Sequence, residues 1–212
     1  MSQVNNLIDV CHRVYQKQFV SAYDGNISIK ISDNSFLITR SGVCKGDVSE
    51  KDILEIDSSS NVLKGSGKVS TEAKIHLFAY QNRKDVSAVV HCHPIYSTAF
   101  ATFGEGFTKN IFPEVVLTLG NVPLCEYGTP STDELPESML PFIKSSSALL
   151  LKNHGAVTFG KNIFDAYFKM EKLEHQANII FLARMLGGEK EIPAKKVEQL
   201  LSIAKSVYGI EK

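Results

Sequence analysis

Apolar and polar residues alternate along the chain with two periods, which predicts helices interleaved with short strands. Residues 6–18 repeat their apolar positions at helical spacing, so we predict a first helix that covers one face of a sheet. Residues 163–185 form a long amphipathic pattern, and Gly187-Gly188 follows it as a helix stop. The chain is therefore expected to be of mixed α/β type.

Short apolar runs between these helices predict a sheet. Strands are expected at 26–31, 36–39, 52–57, 61–63, 86–93, 122–125 and 148–154, and further helices are expected from 72, over 96–103 and over 132–143. This order favours a three-layer α/β/α sandwich, with a largely antiparallel central β-sheet covered by helices on both sides, over a doubly wound parallel sheet. Because no repeat, linker or low-complexity tract interrupts it, we predict a single domain over 1–212.

Composition narrows the class of partner. Lys plus Arg and Asp plus Glu number 23 each, so neither a nucleic acid nor an anionic membrane is favoured as a general partner. The four cysteines show no Cys-x-x-Cys spacing, and the N-terminus does not resemble a secretory signal. We therefore expect a cytoplasmic protein whose anion binding, if it has any, is local.

The motif His91-Cys92-His93 is the first candidate for chemistry. Residues i and i+2 of a strand point to one face, so the two imidazoles can converge on one ion, while Cys92 points to the opposite face as a small core residue. A buried histidine that only hydrogen-bonds to the backbone is the alternative for either residue. The pair alone leaves both interpretations open.

His154 favours the metal interpretation. It follows a second short apolar run, 148–151, and precedes a glycine, so two strand ends carry imidazoles. Three neutral imidazoles with an open fourth position suit Zn²⁺, and Mn²⁺, Co²⁺, Ni²⁺ and Fe²⁺ are alternatives. One divalent metal ion per subunit is the cofactor we predict.

Glu72 begins the helical pattern that follows Ser70-Thr71, and either hydroxyl residue is placed to cap that helix. A carboxylate in a first helical turn is often present only because it suits the helix dipole. His76 lies on the same helix and is interpreted as a packing or surface residue. Taken alone, the helix assigns no function to either residue.

Seven motifs together, in this order and spacing, resemble the class II aldolases of the fuculose phosphate aldolase type. That superfamily also contains ribulose-5-phosphate epimerases, methylthioribulose-phosphate dehydratases and the adducin head domain. The motifs are Asp24-Gly25-Asn26-Ile27-Ser28, Ile38-Thr39-Arg40-Ser41-Gly42, Ser70-Thr71-Glu72, His91-Cys92-His93-Pro94, Pro113-Glu114-Val115-Val116, Tyr127-Gly128-Thr129-Pro130 and Asn153-His154-Gly155. The resemblance covers the chain from about Asn6 to Gly188.

The resemblance implies a role for each candidate residue. It implies that the three histidines bind the metal and that Glu72 is a metal ligand at rest and the catalytic base. It also implies a homotetramer with active sites between subunits. The residues that it implies for binding the substrate phosphate are Gly25, Asn26, Ser41, Gly42, Ser70 and Thr71. Glycine turns, hydroxyls and a helix N-terminus are all suited to an anion.

One position departs from the pattern. A tyrosine of a neighbouring subunit near 113–114 protonates the aldehyde oxygen in such aldolases, but no tyrosine stands there, so Glu114 is the candidate replacement. The sequence of residues 113–120 resembles that of a subgroup linked to short deoxy- and methylthio-sugar 1-phosphates. Tyr208 is either a residue that reaches the site or an exposed tail aromatic.

The resemblance implies a metal-dependent aldehyde-lyase. The expected reaction is reversible cleavage of fuculose 1-phosphate, or a related deoxy- or methylthio-pentulose 1-phosphate, into dihydroxyacetone phosphate and a small aldehyde through a metal-stabilised enediolate. A methylthioribulose-1-phosphate dehydratase or a ribulose-5-phosphate 4-epimerase is the alternative. A non-catalytic adducin-like binding module is less favoured, because such modules lose the metal ligands that are present here.

Overall fold

A computed structural model describes residues 2–208, apart from the side chains of residues 204, 207 and 208. Eight strands form one sheet: β1 (Asn26–Ser32), β2 (Ser35–Thr39), β3 (Ile53–Ile56), β4 (Val62–Lys64), β5 (Ala88–Cys92), β6 (Leu124–Cys125), β7 (Ala148–Leu151) and β8 (Gly155–Gly160). Their order across the sheet is β4-β3-β2-β1-β5-β8-β7-β6. Every pair is antiparallel except β6 with β7. The predicted largely antiparallel sheet is confirmed.

Among the described residues, seven α-helices accompany the sheet: α1 (Gln3–Gln16), α2 (Ala73–Asn82), α3 (Ile95–Phe103), α4 (Pro113–Thr118), α5 (Glu134–Ser138), α6 (Ile163–Met185) and α7 (Ala194–Tyr208). None of the helices in the described part of the chain combines the length and apolar character needed to cross a bilayer. The side chain of Tyr208 lies outside the described residues, so its predicted position is not addressed by the structure.

Side chains on the two faces of the sheet enter two separate cores. In β5, Ala88, Val90 and Cys92 pack towards α1, α3 and α6, whereas Val89 packs towards α2 and α5. Each fully buried aliphatic side chain contributes about 1.5–3 kcal/mol relative to an exposed one, so both helical layers stabilise the sheet. The three-layer arrangement and the assignment of Cys92 as a core residue are confirmed.

Proline explains where the predicted elements were too long. The helix predicted over 132–143 is only the short α5, because Pro141 lacks an amide and disfavours a helical residue before it. The strand predicted over 122–125 is regular only in β6, since Pro123 interrupts it. The sequence interpretation also left β8, α4 and α7 unassigned.

The N-cap of helix α2 lies one or two residues later than predicted. Glu72 occupies the N-cap position, and neither Ser70 nor Thr71 does. The Ser70 hydroxyl instead accepts from the Glu72 amide at 3.3 Å, and the Ser70 carbonyl accepts from Ala73 at 3.0 Å. This turn directs the Glu72 side chain towards the end of β1 and β5.

Candidate active site

His91 presents one ring nitrogen to the site. It lies in β5 between β1 and β8, directly opposite Asn26 and Val157, and it is fully buried. Its Nδ1 is 2.9 Å from the carbonyl oxygen of Ala156, which can only accept, so Nδ1 carries the proton. Burial lowers the pKa of His91 well below 6.5, so the ring is neutral. Its Nε2 is therefore unprotonated and presents a lone pair to the site.

His93 follows β5 and packs directly on Gly155. The His93 amide donates to the Phe19 carbonyl at 2.8 Å, which fixes the backbone as the chain leaves the sheet. A Cβ on residue 155 would lie 2.5 Å from His93 Cδ2 and 2.6 Å from the Cys92 carbonyl. Burial lowers the pKa of His93, and the nearby His154 ring lowers it further. Only glycine at 155 leaves room for this imidazole.

His154 lies in the three-residue turn between β7 and β8, not at the end of a strand as its apolar run predicted. Asn153 adopts the left-handed conformation there (φ +56°), and the His154 amide closes the turn onto the Leu151 carbonyl at 3.0 Å. The ring centroid lies 4.8 Å from that of His91 and 5.0 Å from that of His93. The turn thus completes a cluster of three histidines.

Glu72 faces this cluster. Its Oε1 lies 3.1 Å from His154 Nε2, and its Oε2 lies 3.5 Å from His91 Nε2 and accepts from Asn26 Nδ2 at 2.7 Å. Burial alone would raise the pKa of Glu72, but hydrogen bonds from His154 and from the Asn26 amide hold it well below its usual value. Glu72 is therefore a carboxylate at neutral pH.

The donor set fits a divalent metal. Nε2 of His91 and Nε2 of His93 are 3.2 Å apart, and ligand atoms of all three histidines lie within 4.8 Å of one another. Neutral imidazole lone pairs and a carboxylate crowded together in this way are stabilised by a cation between them. Nitrogen and oxygen donors are compatible with zinc and with several other first-row metals.

A cavity of about 210 Å³ opens beside the cluster, with Glu72 and His93 in its wall. All six residues implied for phosphate binding line it: Gly25, Asn26, Ser41, Gly42, Ser70 and Thr71. Tyr23, Asp24 and Arg40 also line it, and the sequence interpretation gave them no role. In the structure, Glu72 thus lies both beside the three-histidine cluster and in the wall of the cavity that the predicted phosphate-binding loops line.

The loops around this cavity are held by specific contacts. Gly25 has φ +72°, and a Cβ there would lie 2.7 Å from the His91 carbonyl, so this turn requires glycine. The Ser41 amide donates to the Lys68 carbonyl at 2.8 Å, which fixes the backbone of this loop at the cavity. The buried Lys45 ammonium donates to the carbonyls of Tyr23 and Val43 at 3.3 and 3.0 Å and so joins two loops from behind.

Two other predicted residues differ in their placement. His76 is 1% exposed, so the surface alternative was wrong, and its ring contacts Asn26 and Ser28. Glu114 lies in the first turn of α4, is exposed, and is not among the residues that line the cavity. Within the described chain, Glu114 therefore does not contribute to this cavity.

Gly155→Ala is expected to lower metal affinity about 10- to 100-fold without removing a ligand, because the new Cβ displaces the His93 ring. Titration with Co²⁺, followed by visible absorption, would measure the loss. In a His93→Ala background the same substitution should add little to it, since the displaced ring is already absent. An unchanged affinity in the single variant would show that His93 is not a ligand.

Residues 5–181 match the family model described as Class II Aldolase and Adducin N-terminal domain. This match spans most of the chain, and the chain belongs to that family. Class II aldolases are metal-dependent, in agreement with the three-histidine group.

Individual relatives agree with the family assignment. An L-fuculose phosphate aldolase of Methanococcus maripaludis is 35% identical over 184 residues, covering 87% of this chain and 98% of the relative. A 3-oxo-tetronate 4-phosphate decarboxylase of Escherichia coli K12 is 31% identical, covering 79% of this chain and 81% of the relative. A solved L-fuculose 1-phosphate aldolase structure superposes with a TM-score of 0.87 at 28% identity, covering 95% of both chains.

Proposed function

We propose that this chain is a metal-dependent aldolase that reversibly cleaves a ketose 1-phosphate into dihydroxyacetone phosphate and a small aldehyde. Fuculose 1-phosphate, or a related deoxy- or methylthio-pentulose 1-phosphate, is the substrate class we favour. The observation that carries the proposal is the position of Glu72. This residue contacts two histidines of the cluster and also lines the cavity formed by the predicted phosphate-binding loops. The Glu72 carboxylate therefore lies between the three imidazoles and the cavity in which we propose that the substrate binds.

The proposed roles follow from this placement. His91, His93 and His154 would hold the ion, which supplies a Lewis acid that stabilises negative charge developing on the substrate oxygens. The loop residues Gly25, Asn26, Ser41, Gly42, Ser70 and Thr71 would bind the phosphate. A phosphate held in this cavity would bring the reacting carbons towards Glu72, since that residue lines the same space.

Glu72 is the base in this proposal. In the direction of synthesis it removes a proton from the hydroxymethyl carbon of dihydroxyacetone phosphate, and in the direction of cleavage it returns that proton. A carboxylate held by hydrogen bonds and neighbouring imidazoles is a weak base. Movement of Glu72 away from the histidines, into the poorly solvated cavity, would raise its basicity. Glu114 of an adjacent subunit is the proposed acid for the aldehyde oxygen.

The setting we infer is a cytoplasmic homotetramer with Zn²⁺ as the metal. The four cysteines are free thiols, which suits a reducing compartment. Glu114 is exposed and lies outside the lining of the cavity, and a site shared between subunits would bring the Glu114 of a neighbouring chain to it.

Decarboxylation of a phosphorylated 3-oxo acid is the second candidate. The relatives that catalyse it share this scaffold, and Arg40, in the cavity wall, carries a guanidinium suited to a substrate carboxylate. Arg40 Nε and Nη2 are held by Asp52 at 2.8 Å, so a substrate carboxylate would meet the remaining edge of this guanidinium. Loss of carbon dioxide from such an acid also leaves negative charge on the former ketone oxygen. The same ion and the same loops would therefore serve both reactions.

Proton exchange into dihydroxyacetone phosphate in D₂O, followed by NMR, tests the aldolase proposal without a choice of aldehyde. We expect metal-loaded protein to exchange one hydroxymethyl proton and chelated protein to exchange none. Absence of exchange with metal confirmed as bound would reject the aldolase. Release of carbon dioxide from 3-oxo-tetronate 4-phosphate would then indicate the decarboxylase, and turnover of pentulose phosphates would indicate the dehydratase or the epimerase.

A further inference from the structure

A buried polar stripe joins α2 to β1 and ends at Glu72. Glu72, His76 and Tyr80 are spaced by four residues along the α2 segment, so they share one face of it. Asn26 and Ser28 are spaced by two residues on β1, so they share one face of the strand. The two faces meet, and their polar groups pair with one another in an otherwise apolar layer.

Every hydrogen bond in this stripe has one allowed direction. The Glu72 carboxylate only accepts, so the Asn26 amide nitrogen donates to it at 2.7 Å. Asn26 Oδ1 therefore accepts from His76 Nε2, at 2.5 Å, which places the proton of neutral His76 on Nε2. Burial lowers the pKa of His76 to about 3, in agreement with a neutral ring.

The direction continues beyond His76. Because its Nδ1 carries no proton, the Ser28 hydroxyl donates to it at 2.7 Å. Ser28 Oγ then accepts from the Tyr80 hydroxyl at 2.6 Å. The chain of donors thus runs from Tyr80 through Ser28, His76 and Asn26 to the carboxylate, and the same Asn26 amide also donates to Ser70 Oγ at 3.3 Å.

We propose that His76 is a positioning residue that fixes the Asn26 amide with its nitrogen towards Glu72 and Ser70. Without the Nε2 donor, the buried Asn26 Oδ1 would lose its hydrogen-bond partner, so the amide would no longer be held in this orientation. Glu72 would then lose the hydrogen bond that holds it beside the histidines, and Ser70 would lose its link to the same amide. This inference rests on the proposed function, in which Glu72 is the base.

Two isosteric substitutions separate positioning from packing. In His76→Gln the side-chain amide nitrogen can take the place of Nε2 and donate to Asn26. In His76→Asn the shorter amide can contact only Ser28. We expect His76→Asn to lower the exchange rate of dihydroxyacetone phosphate about 10- to 100-fold, the range typical of an outer-sphere partner, and His76→Gln to stay within about threefold of the wild type.

A second readout does not depend on turnover. Co²⁺ affinity and the visible spectrum of the Co²⁺ protein report how Glu72 meets the metal, and we expect both to change in His76→Asn and to be preserved in His76→Gln. Thr158→Val is a stability control, because it removes a buried hydrogen bond to Ala166 on the other side of the sheet, and it should leave both readouts unchanged.

The outcomes distinguish this inference from the proposed function. Equal exchange rates and equal Co²⁺ spectra for His76→Asn and His76→Gln would overturn the positioning role. A difference in the Co²⁺ spectra alone, with a wild-type protein that does not exchange dihydroxyacetone phosphate, would support the positioning of Glu72 while rejecting the aldolase.

Discussion

Glu72→Gln is expected to lower the exchange of dihydroxyacetone phosphate by about 10²- to 10⁴-fold, the contribution typical of a general base, while the metal stays bound. The amide is nearly isosteric, so it should still fit between His154 and the Asn26 nitrogen. The three imidazoles that hold the ion are unchanged. What the variant loses is a group that can accept the substrate proton at neutral pH.

Metal content and proton exchange must be measured on the same sample, because a lost ion would also abolish exchange. Glu126→Gln is the matched control, since its exposed carboxylate pairs only with Lys152 in the described structure. We expect that control to exchange at the wild-type rate. A Glu72→Gln protein that is fully loaded and exchanges protons as fast as the wild type would rule out Glu72 as the base.

The sequence predicted the parts of this site that follow from local spacing. The Nε2 atoms of His91 and His93 lie 3.2 Å apart, as the i, i+2 spacing predicted, although β5 ends at Cys92 and His93 is the next residue. Glu72 Oε2 lies 3.5 Å from His91 Nε2. The sheet and the longest helix, Ile163–Met185, were also readable, because their apolar patterns are long and uninterrupted. Local periodicity therefore carries both the scaffold and the candidate ligands.

Contacts between segments that are distant in the sequence could not be predicted from local spacing. Gly155 matters because of the ring of His93, which is 62 positions earlier by residue number, and Lys45 matters because two separate loops place their carbonyls on it. His76 was assigned no function because its partners lie on another element. The spacing of Glu72, His76 and Tyr80 was the available signal, since three polar residues on one face of a largely buried helix require polar partners.

Short elements were missed in the sequence analysis for a different physical reason. Strand β8 begins and ends with glycine, which marks turns as often as strands, so its four central residues gave little periodic signal. Pairing with β5 and β7 on both sides stabilises it regardless of its intrinsic preference. Its position nevertheless decides the site, because the Ala156 carbonyl fixes the tautomer of His91.

His154→Ala is expected to reduce metal affinity by more than the 10- to 100-fold typical of an outer-sphere change, because it removes a direct ligand. The fold should tolerate it, since His154 lies in a turn whose backbone geometry does not depend on the ring. His175→Ala, at an exposed position on α6, is the matched control and should bind Co²⁺ as the wild type does. Equal Co²⁺ affinity in the two variants would remove His154 from the ligand set. Loss of Co²⁺ affinity in His154→Ala alone, at an unchanged melting temperature, would place the metal at the β7–β8 turn. At that turn, Glu72 Oε1 lies 3.1 Å from His154 Nε2.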